Sequence, residues 1–221
     1  MDAAFWQARW ERGETGFHKA AVNPLLSRWW PRLKVPADAQ VWVPLCGKSL
    51  DMLWLRQQGH RVQGVELARS ALQAFISEHQ LASAWQQQGE FEVAAGEGFD
   101  LLCGDFFALT PDMLKNVSAV YDRAALIALP EPMRAEYVAH TRRLLPSGWK
   151  MLLVTLDYPQ AQRPGPPFSV PDAEVKRLYA GCRIDVLDEQ DVLADHAVFA
   201  AQGMRELVER VYLIADEGAA A

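Results

Sequence analysis

Cysteine is scarce: Cys46, Cys103 and Cys182 are the only three in 221 residues. An odd number, far apart and with no paired metal spacing, rules out a disulfide framework or a zinc module as the organising principle and points to a reducing compartment. Each reads as a small core filler. Basic charge is also short, with 22 Lys and Arg against 28 Asp and Glu, a net charge of -6 and a pI near 5.4. Phosphate polymers need clustered Lys and Arg, and here they are scattered among acids, so no nucleic-acid partner is expected. No apolar run approaches a membrane span, and Asp2, Arg9, Glu11, Arg12 and Glu14 leave no room for a signal-peptide core. The expectation is a soluble, cytoplasmic protein with no membrane partner. What the chain does have is a composition that is 50% apolar or aromatic, enough for one compact domain with a sizeable core.

The stretch VWVPLCGKSLDMLWLRQQGHRVQGVE, from Val41 to Glu66, carries the most information. Val41 to Val43 suit a buried strand, Leu45 to Ser49 form a short loop around Gly47, and Leu50, Leu53, Trp54 and Gln57 follow helical spacing. Arg61 to Glu66 returns to strand character. In a right-handed strand-helix-strand unit, the loop after the first strand and the end of the second meet at one sheet edge. Gly47 lets backbone approach a ligand, and Glu66 can accept both hydroxyls of a ribose. Glycine is short here too. A dinucleotide site usually needs three glycines for its pyrophosphate and this loop has one, whereas the amino-acid end of S-adenosylmethionine (SAM) makes no such demand.

Elsewhere the pattern alternates. Asp2 to Arg12 carries Phe5, Trp6, Arg9 and Trp10 at helical spacing, and Asn23 before Pro24 starts a helix that ends at about Trp30. Ser70 to Gln80 reads as a helix, Phe91–Ala94 and Phe99–Cys103 as a hairpin, and Val117–Tyr121 as a strand. Glu131 to Leu145 is helical and Met151 to Leu156 an interior strand. The 159–171 segment holds five of the thirteen prolines and is a stiffened loop, a candidate lid, before a helix through Glu174, Leu178 and Tyr179. Ile184–Leu187 and Glu209–Ile214 supply the last strands. The implied fold is α/β, a doubly wound, Rossmann-like sheet. It divides into an N-terminal helical cover (1–35), a sheet core (36–215) and a flexible tail (216–221).

PLCGKSLDM followed by GHRVQGVE, WQARWERGETGFH near the start, VYDRAALIALP in the middle, PGPPFSV later and ERVYLI near the end together resemble the thiopurine S-methyltransferase family. The resemblance covers all but the Ala-rich tail. It implies a SAM-dependent class I methyltransferase fold, with a mostly parallel sheet, an antiparallel last strand and an N-terminal helix over the cofactor. It also implies methyl transfer from SAM to small aromatic or heterocyclic thiols, with selenium or tellurium species as an extension.

Several positions carry two readings each. Glu66 binds the ribose or is a plain strand end. Leu45, by resemblance, meets the cofactor through its backbone carbonyl. Asp105 and Phe106 hold the adenine by a polar atom and a ring, or serve as a helix cap and a core aromatic. Trp6 and Trp10, one turn apart, read on pattern alone as core; by resemblance Trp10 reaches the methionine portion of SAM, and an electron-rich ring beside a sulfonium fits cation-π physics. Phe17, by resemblance, lines the substrate pocket, and His18 beside it reads as structural.

Arg123 is the candidate catalytic residue, a cation that favours the thiolate at the edge holding Gly47 and Glu66. By resemblance it borders both cofactor and substrate; the competing reading pairs it with Asp122. No metal site is expected, and the chain is expected to be a monomer acting on a small-molecule thiol. The alternatives to an S-methyltransferase are a non-catalytic SAM- or nucleotide-binding module and a nicotinamide-dependent oxidoreductase, which lacks its glycines.

Overall fold

Val41, Trp42 and Val43 are apolar or aromatic and buried, and the strand they form lies near the centre of one nine-stranded sheet. The structure is a computed structural model, and it describes residues 3–13, 18–201 and 203–218. In chain order the elements are α1 (Ala3–Glu11), α2 (Pro24–Trp29), β1 (Gln40–Pro44), α3 (Asp51–Gln57), β2 (Arg61–Glu66), α4 (Arg69–Glu78), β3 (Ala84–Gln88), β4 (Phe91–Gly96) and β5 (Phe99–Cys103). They continue with β6 (Val117–Asp122), α5 (Glu131–Leu144), β7 (Lys150–Asp157), α6 (Asp172–Leu178), β8 (Arg183–Asp191), α7 (Ala197–Ala201) and β9 (Val208–Ala215).

The strand order is β3-β4-β5-β2-β1-β6-β7-β9-β8. The five strands from β5 to β7 run parallel, while β9 returns antiparallel against β7 and carries β8 at the edge. The central parallel strands are almost continuously buried because helices cover both faces. On one face α2, α3 and α4 bring Leu26, Met52, Leu55, Leu72 and Phe75 against Val41, Tyr121 and Leu152. On the other, Tyr137 and Val138 of α5 and Val175 of α6 pack on Trp42, Val120 and Leu153. The antiparallel last strand and doubly wound order match the sequence reading.

Two strands exceeded that reading. β3, with the sequence AWQQQ, is a polar edge strand on the predicted hairpin, and β8 runs five residues longer than its apolar centre because edge strands need no buried face. The hairpin turn places Glu97 and Gly98 at φ 52° and 87°, a pairing glycine makes easy. The proline-rich loop is tied down: Phe168 N–H donates to Ile127 O at 2.7 Å, Val170 N–H to Leu156 O at 2.7 Å, and the Tyr158 hydroxyl to Pro167 O at 2.6 Å. Asp216, assigned from sequence to the tail, is bonded in both directions, its N–H to Trp149 O and its carboxylate to Gly148 N–H. Residues 219–221 of that tail lie outside the described residues.

Two buried carboxylates lock the elements near the edge where the parallel strands end. Asp51, 2% exposed at the start of α3, accepts from Asn23 N–H at 2.8 Å and from the Tyr121 hydroxyl at 3.0 Å, joining α2, α3 and β6. Asp122, 1% exposed at the end of β6, accepts from the Tyr137 hydroxyl at 2.8 Å and from the N–H groups of Ala125 and Leu126 at 3.0 and 3.2 Å. Burial raises the Asp122 carboxyl from 3.8 to about 6, against the pull of these three donors.

The raised value fixes the sign of a pH effect. Between about pH 4 and pH 6 the folded chain holds a proton on Asp122 that the unfolded chain has released, so this group's stabilisation falls as pH rises through that window. The shift corresponds to roughly 3 kcal/mol. Asp122→Asn is therefore expected to flatten the stability profile between these pH values relative to wild type. Urea denaturation at the two ends of the window checks it, and parallel profiles for both proteins refute it.

Candidate active site

The site is built where the parallel strands end. Leu45 follows β1 in the left-handed region at φ 45°, uncommon for a branched residue, and Gly47 follows at φ 53°. Leu45 thus matters for its turn, in line with a backbone role. Cys46 N–H extends the β1–β2 ladder by donating to Val65 O at 3.0 Å, and its side chain fits because Gly64 on β2 has no Cβ; one there would stand 2.7 Å from Cys46 Sγ. Burial raises the Cys46 thiol well above its ordinary value, so it is a neutral filler and no nucleophile.

Glu66 closes the structure. Its Oε2 accepts from Gly47 N–H at 2.9 Å and its Oε1 from Ala68 N–H at 2.8 Å, so one carboxylate joins the loop after β1 to the turn after β2. It is 6% exposed; burial raises its pKa while the bonds from Ala68 and Gly47 pull it back. Two N–H bonds leave the carboxylate lone pairs to spare for hydroxyl donors.

Trp10 of α1 lies over this loop: a Cβ on Gly47 would stand 2.9 Å from Trp10 Cζ2. Phe5 of the same helix is 37% exposed, so the aromatic face is a cover on the loop more than a buried core stripe. Phe17, expected in the substrate pocket, lies outside the described residues.

Next along the edge, Gly104 N–H donates to Glu66 O at 3.0 Å, carrying the pairing past β5 to Asp105. Asp105 is exposed, and its Oδ1 caps the following turn at Phe107 N–H, 2.9 Å away, leaving the second oxygen open. Phe106 has its ring in the core, stacked on Trp42 with centroids 5.7 Å apart and on Tyr137 at 4.8 Å. Stacked on these two rings and 4% exposed, the Phe106 ring is committed to the core and not presented to a ligand. The partly buried Phe107, edge-on to it, is the ring nearer the surface.

Arg123 follows β6 and is half-buried. The pairing with Asp122 considered from sequence does not form, because both Asp122 oxygens are already occupied by Tyr137, Ala125 and Leu126. Among the described residues the Arg123 guanidinium makes no hydrogen bond or ion pair, and its field acts on His18, Tyr121 and Glu209. His18 is held below the ordinary histidine range by burial first, then by Lys48 and Arg123, among others, with Glu78 opposing. Lys48 itself pairs with Glu78 at 2.6 Å, so the one cation of the glycine loop is committed elsewhere and is not left for a pyrophosphate.

Sequence reasoning passed over Asp51 and Glu209. The available signals were a carboxylate opening an apolar helix and one embedded in the apolar strand VERVYLI. Among the described residues no group of His, Cys, Asp and Glu is arranged to hold a metal, and no helix is long and apolar enough to cross a membrane.

Solved structures with the same fold include the Burkholderia thailandensis 1,6-didemethyltoxoflavin-N1-methyltransferase with bound 1,6-didemethyltoxoflavin and S-adenosylhomocysteine. It aligns at a TM-score of 0.65 and 17% identity over 97% of this chain and 87% of that one. A SAM-dependent methyltransferase of Methanosarcina mazei aligns at 0.61 and 12% identity, over 88% and 98%. The sequence is 51% identical to thiopurine S-methyltransferase of Pseudomonas fluorescens Pf-5 over the full length of both chains. It is 48% identical to that of Pseudomonas putida KT2440, over 97% of this chain and 99% of the relative. The family model described as thiopurine S-methyltransferase matches residues 1–217, and the chain belongs to that family.

Proposed function

We propose that the chain is a SAM-dependent S-methyltransferase acting on small aromatic or heterocyclic thiols of the thiopurine type. The observation that carries the reading is the Glu66 clamp on Gly47 under Trp10, at the same edge as Arg123, which has no ion-pair partner among the described residues. A cofactor with a ribose and no phosphate fits a buried carboxylate with spare lone pairs, a one-glycine loop and a lysine already engaged. Glu66 takes the ribose hydroxyls, the Leu45–Gly47 backbone the amino-acid end, and Trp10 shields the sulfonium. Asp105 offers its open oxygen to the adenine amine, and Phe106 contributes through its backbone position, its ring being committed to the core.

SAM, when bound, supplies an electrophilic methyl group whose leaving thioether is neutral and needs no acid. The chain's own tasks are to align the thiol sulfur, exclude water and favour the thiolate. Arg123 favours the thiolate by charge, while Trp10 and the 159–171 loop shelter the edge. Three unpaired cysteines and small-molecule chemistry support a cytoplasmic enzyme that works as a monomer without nucleic acid.

Glu66→Ala is expected to weaken SAM binding by about 1 to 3 kcal/mol through lost charge-assisted bonds. It should also lower the melting temperature, because Gly47 and Ala68 lose their acceptor. Isothermal titration with SAM beside a thermal melt checks both, and unchanged SAM affinity removes Glu66 from the site. Gly47→Ala puts a methyl against Trp10 and a side chain at positive φ, so it is expected to cost about 1 kcal/mol or more of stability and to lower SAM affinity. A thermal melt and a SAM titration of the variant check both, and wild-type values in both refute the close approach of Trp10 to Gly47.

For Arg123, methylation of one aryl thiol at saturating SAM should fall about 100-fold in Arg123→Met and less in Arg123→Lys, which keeps the charge. The deficit should be larger below the thiol's pKa than above it. A wild-type to Arg123→Met ratio that is flat with pH excludes thiolate stabilisation.

A further inference from the structure

Glu209 stands out among the charged groups that the reading above leaves unused. It sits on β9 opposite Leu156 of β7, at the end of the sheet where β1, β2 and β6 also finish. Val211 and Leu213, at alternate positions of the same strand, face the α2–α4 side of the sheet with Tyr121, and Glu209 continues that face toward the edge. The carboxylate is half-buried and, among the described residues, makes no hydrogen bond or ion pair. It lies within the field of Arg123, which likewise has no such partner, yet the two are too far apart to form an ion pair. Two opposite charges, both half-buried, thus lie at the cofactor edge within one another's field and without an ion pair between them. Polar groups held in this state cost stability, which is tolerated where a substrate completes the pairing.

We infer that Glu209 is the general base that takes the proton of the thiol substrate, with Arg123 holding the sulfur anion that results. The inference rests on the thiol methyltransferase reading. In the step, the S–H bond breaks, or the ring N–H bond of a thione tautomer, and the proton bonds to a Glu209 carboxylate oxygen. The thiolate electron pair then forms the new bond to the methyl carbon. That carbon's bond to the sulfonium sulfur breaks and its electrons return to that sulfur. Glu209 releases its proton to solvent after the product leaves.

The charge balance favours the arrangement. Before the proton moves the pair is Arg123 cation and Glu209 anion; afterwards it is Arg123 cation and thiolate, so the net charge of the pocket is constant. Burial raises the carboxyl above the ordinary glutamate range, which makes it a stronger base, and of its neighbours Arg123, His196 and Lys19 lower it while Asp188 raises it. His18, the other candidate, is held below its ordinary range by burial and by Lys48 and Arg123, which makes it a weaker one.

The test compares 4-nitrobenzenethiol, ionised across the neutral range, with phenylmethanethiol, protonated across it, at saturating SAM. Glu209→Gln is expected to lose about 100-fold or more in kcat/KM with phenylmethanethiol and less than about threefold with 4-nitrobenzenethiol, whose proton is already gone. Equal losses with both thiols overturn the proposal and leave Glu209 a positioning residue for Arg123. A wild type that methylates neither thiol instead sinks the parent reading.

A second readout needs no turnover. With S-adenosylhomocysteine bound, the ultraviolet thiolate band of a weakly acidic aryl thiol should appear at higher pH in wild type than in Glu209→Gln, because the carboxylate beside the sulfur opposes a second anion while Arg123 alone favours it. An unmoved band overturns the proposal. Should the variant fail to fold, the wild-type pH profile decides. With phenylmethanethiol, kcat/KM should level off once Glu209 is ionised, whereas a tenfold rise per pH unit continuing toward the thiol's own pKa shows that free thiolate is the form bound and excludes the base.

Discussion

The bond pattern of one carboxylate holds the cofactor edge together. Glu66 ends β2, and its two oxygens reach the N–H groups of Gly47 and Ala68, so the loop after β1 and the turn after β2 are fixed by the group that also faces the ligand. A buried carboxylate that accepts backbone N–H bonds is stabilised as the anion, yet desolvation still raises its pKa, so the site holds an anion at a cost. That cost is offset by loop order. Leu45 and Gly47 keep their left-handed backbones because the Cys46 and Gly47 N–H groups are both bonded to β2.

The remaining buried acids separate into two kinds. Asp51 and Asp122 are saturated: each accepts from a tyrosine hydroxyl and from backbone N–H, and each joins a strand or helix end to its neighbours. Arg134 and Glu174 form a buried ion pair that links α5 to α6 at 2.7 Å. Arg123 and Glu209 are different, since among the described residues neither is satisfied within the chain. A structural charge is bonded to its surroundings and stiffens them. A charge left open beside a cofactor edge has its partner still to come. This contrast separates Arg123 from Asp122, its neighbour in sequence, more sharply than their spacing does.

Much of the frame was legible in the residues. The strand-loop-helix-strand unit from Val41 to Glu66 appears with its second strand bounded as read, because continuous apolar runs and a lone glycine leave a buried parallel strand few alternatives. Asn23 caps α2 through Leu25 N–H with Pro24 at its first turn, as the pair of residues implies. The edges were harder. AWQQQ carries no alternation because β3 is an edge strand of which only Trp85 packs on the core, and the outer half of β8, at the opposite edge, is polar for the same reason.

At the candidate site, residue type and position along the chain brought Gly47, Glu66 and Arg123 to one edge, since strand ends in a doubly wound sheet converge there whatever their side chains do. The sequence also determined the class of fold, the family and the chemistry of the groups available. Only the tertiary structure decided which partner each group takes. It gave Asp122 to Tyr137 and left Arg123 open, because α5 packs its tyrosine under the end of β6. It stacked the Phe106 ring on Trp42 and Tyr137, contributed by a strand and a helix far apart in the chain. It brought Glu209, an unremarked acid in an apolar strand, within the field of Arg123, because the antiparallel return of β9 brings the start of that strand to the edge where the parallel strands end. Pairings between elements distant in sequence depend on register and side-chain packing, and neither is written in local spacing.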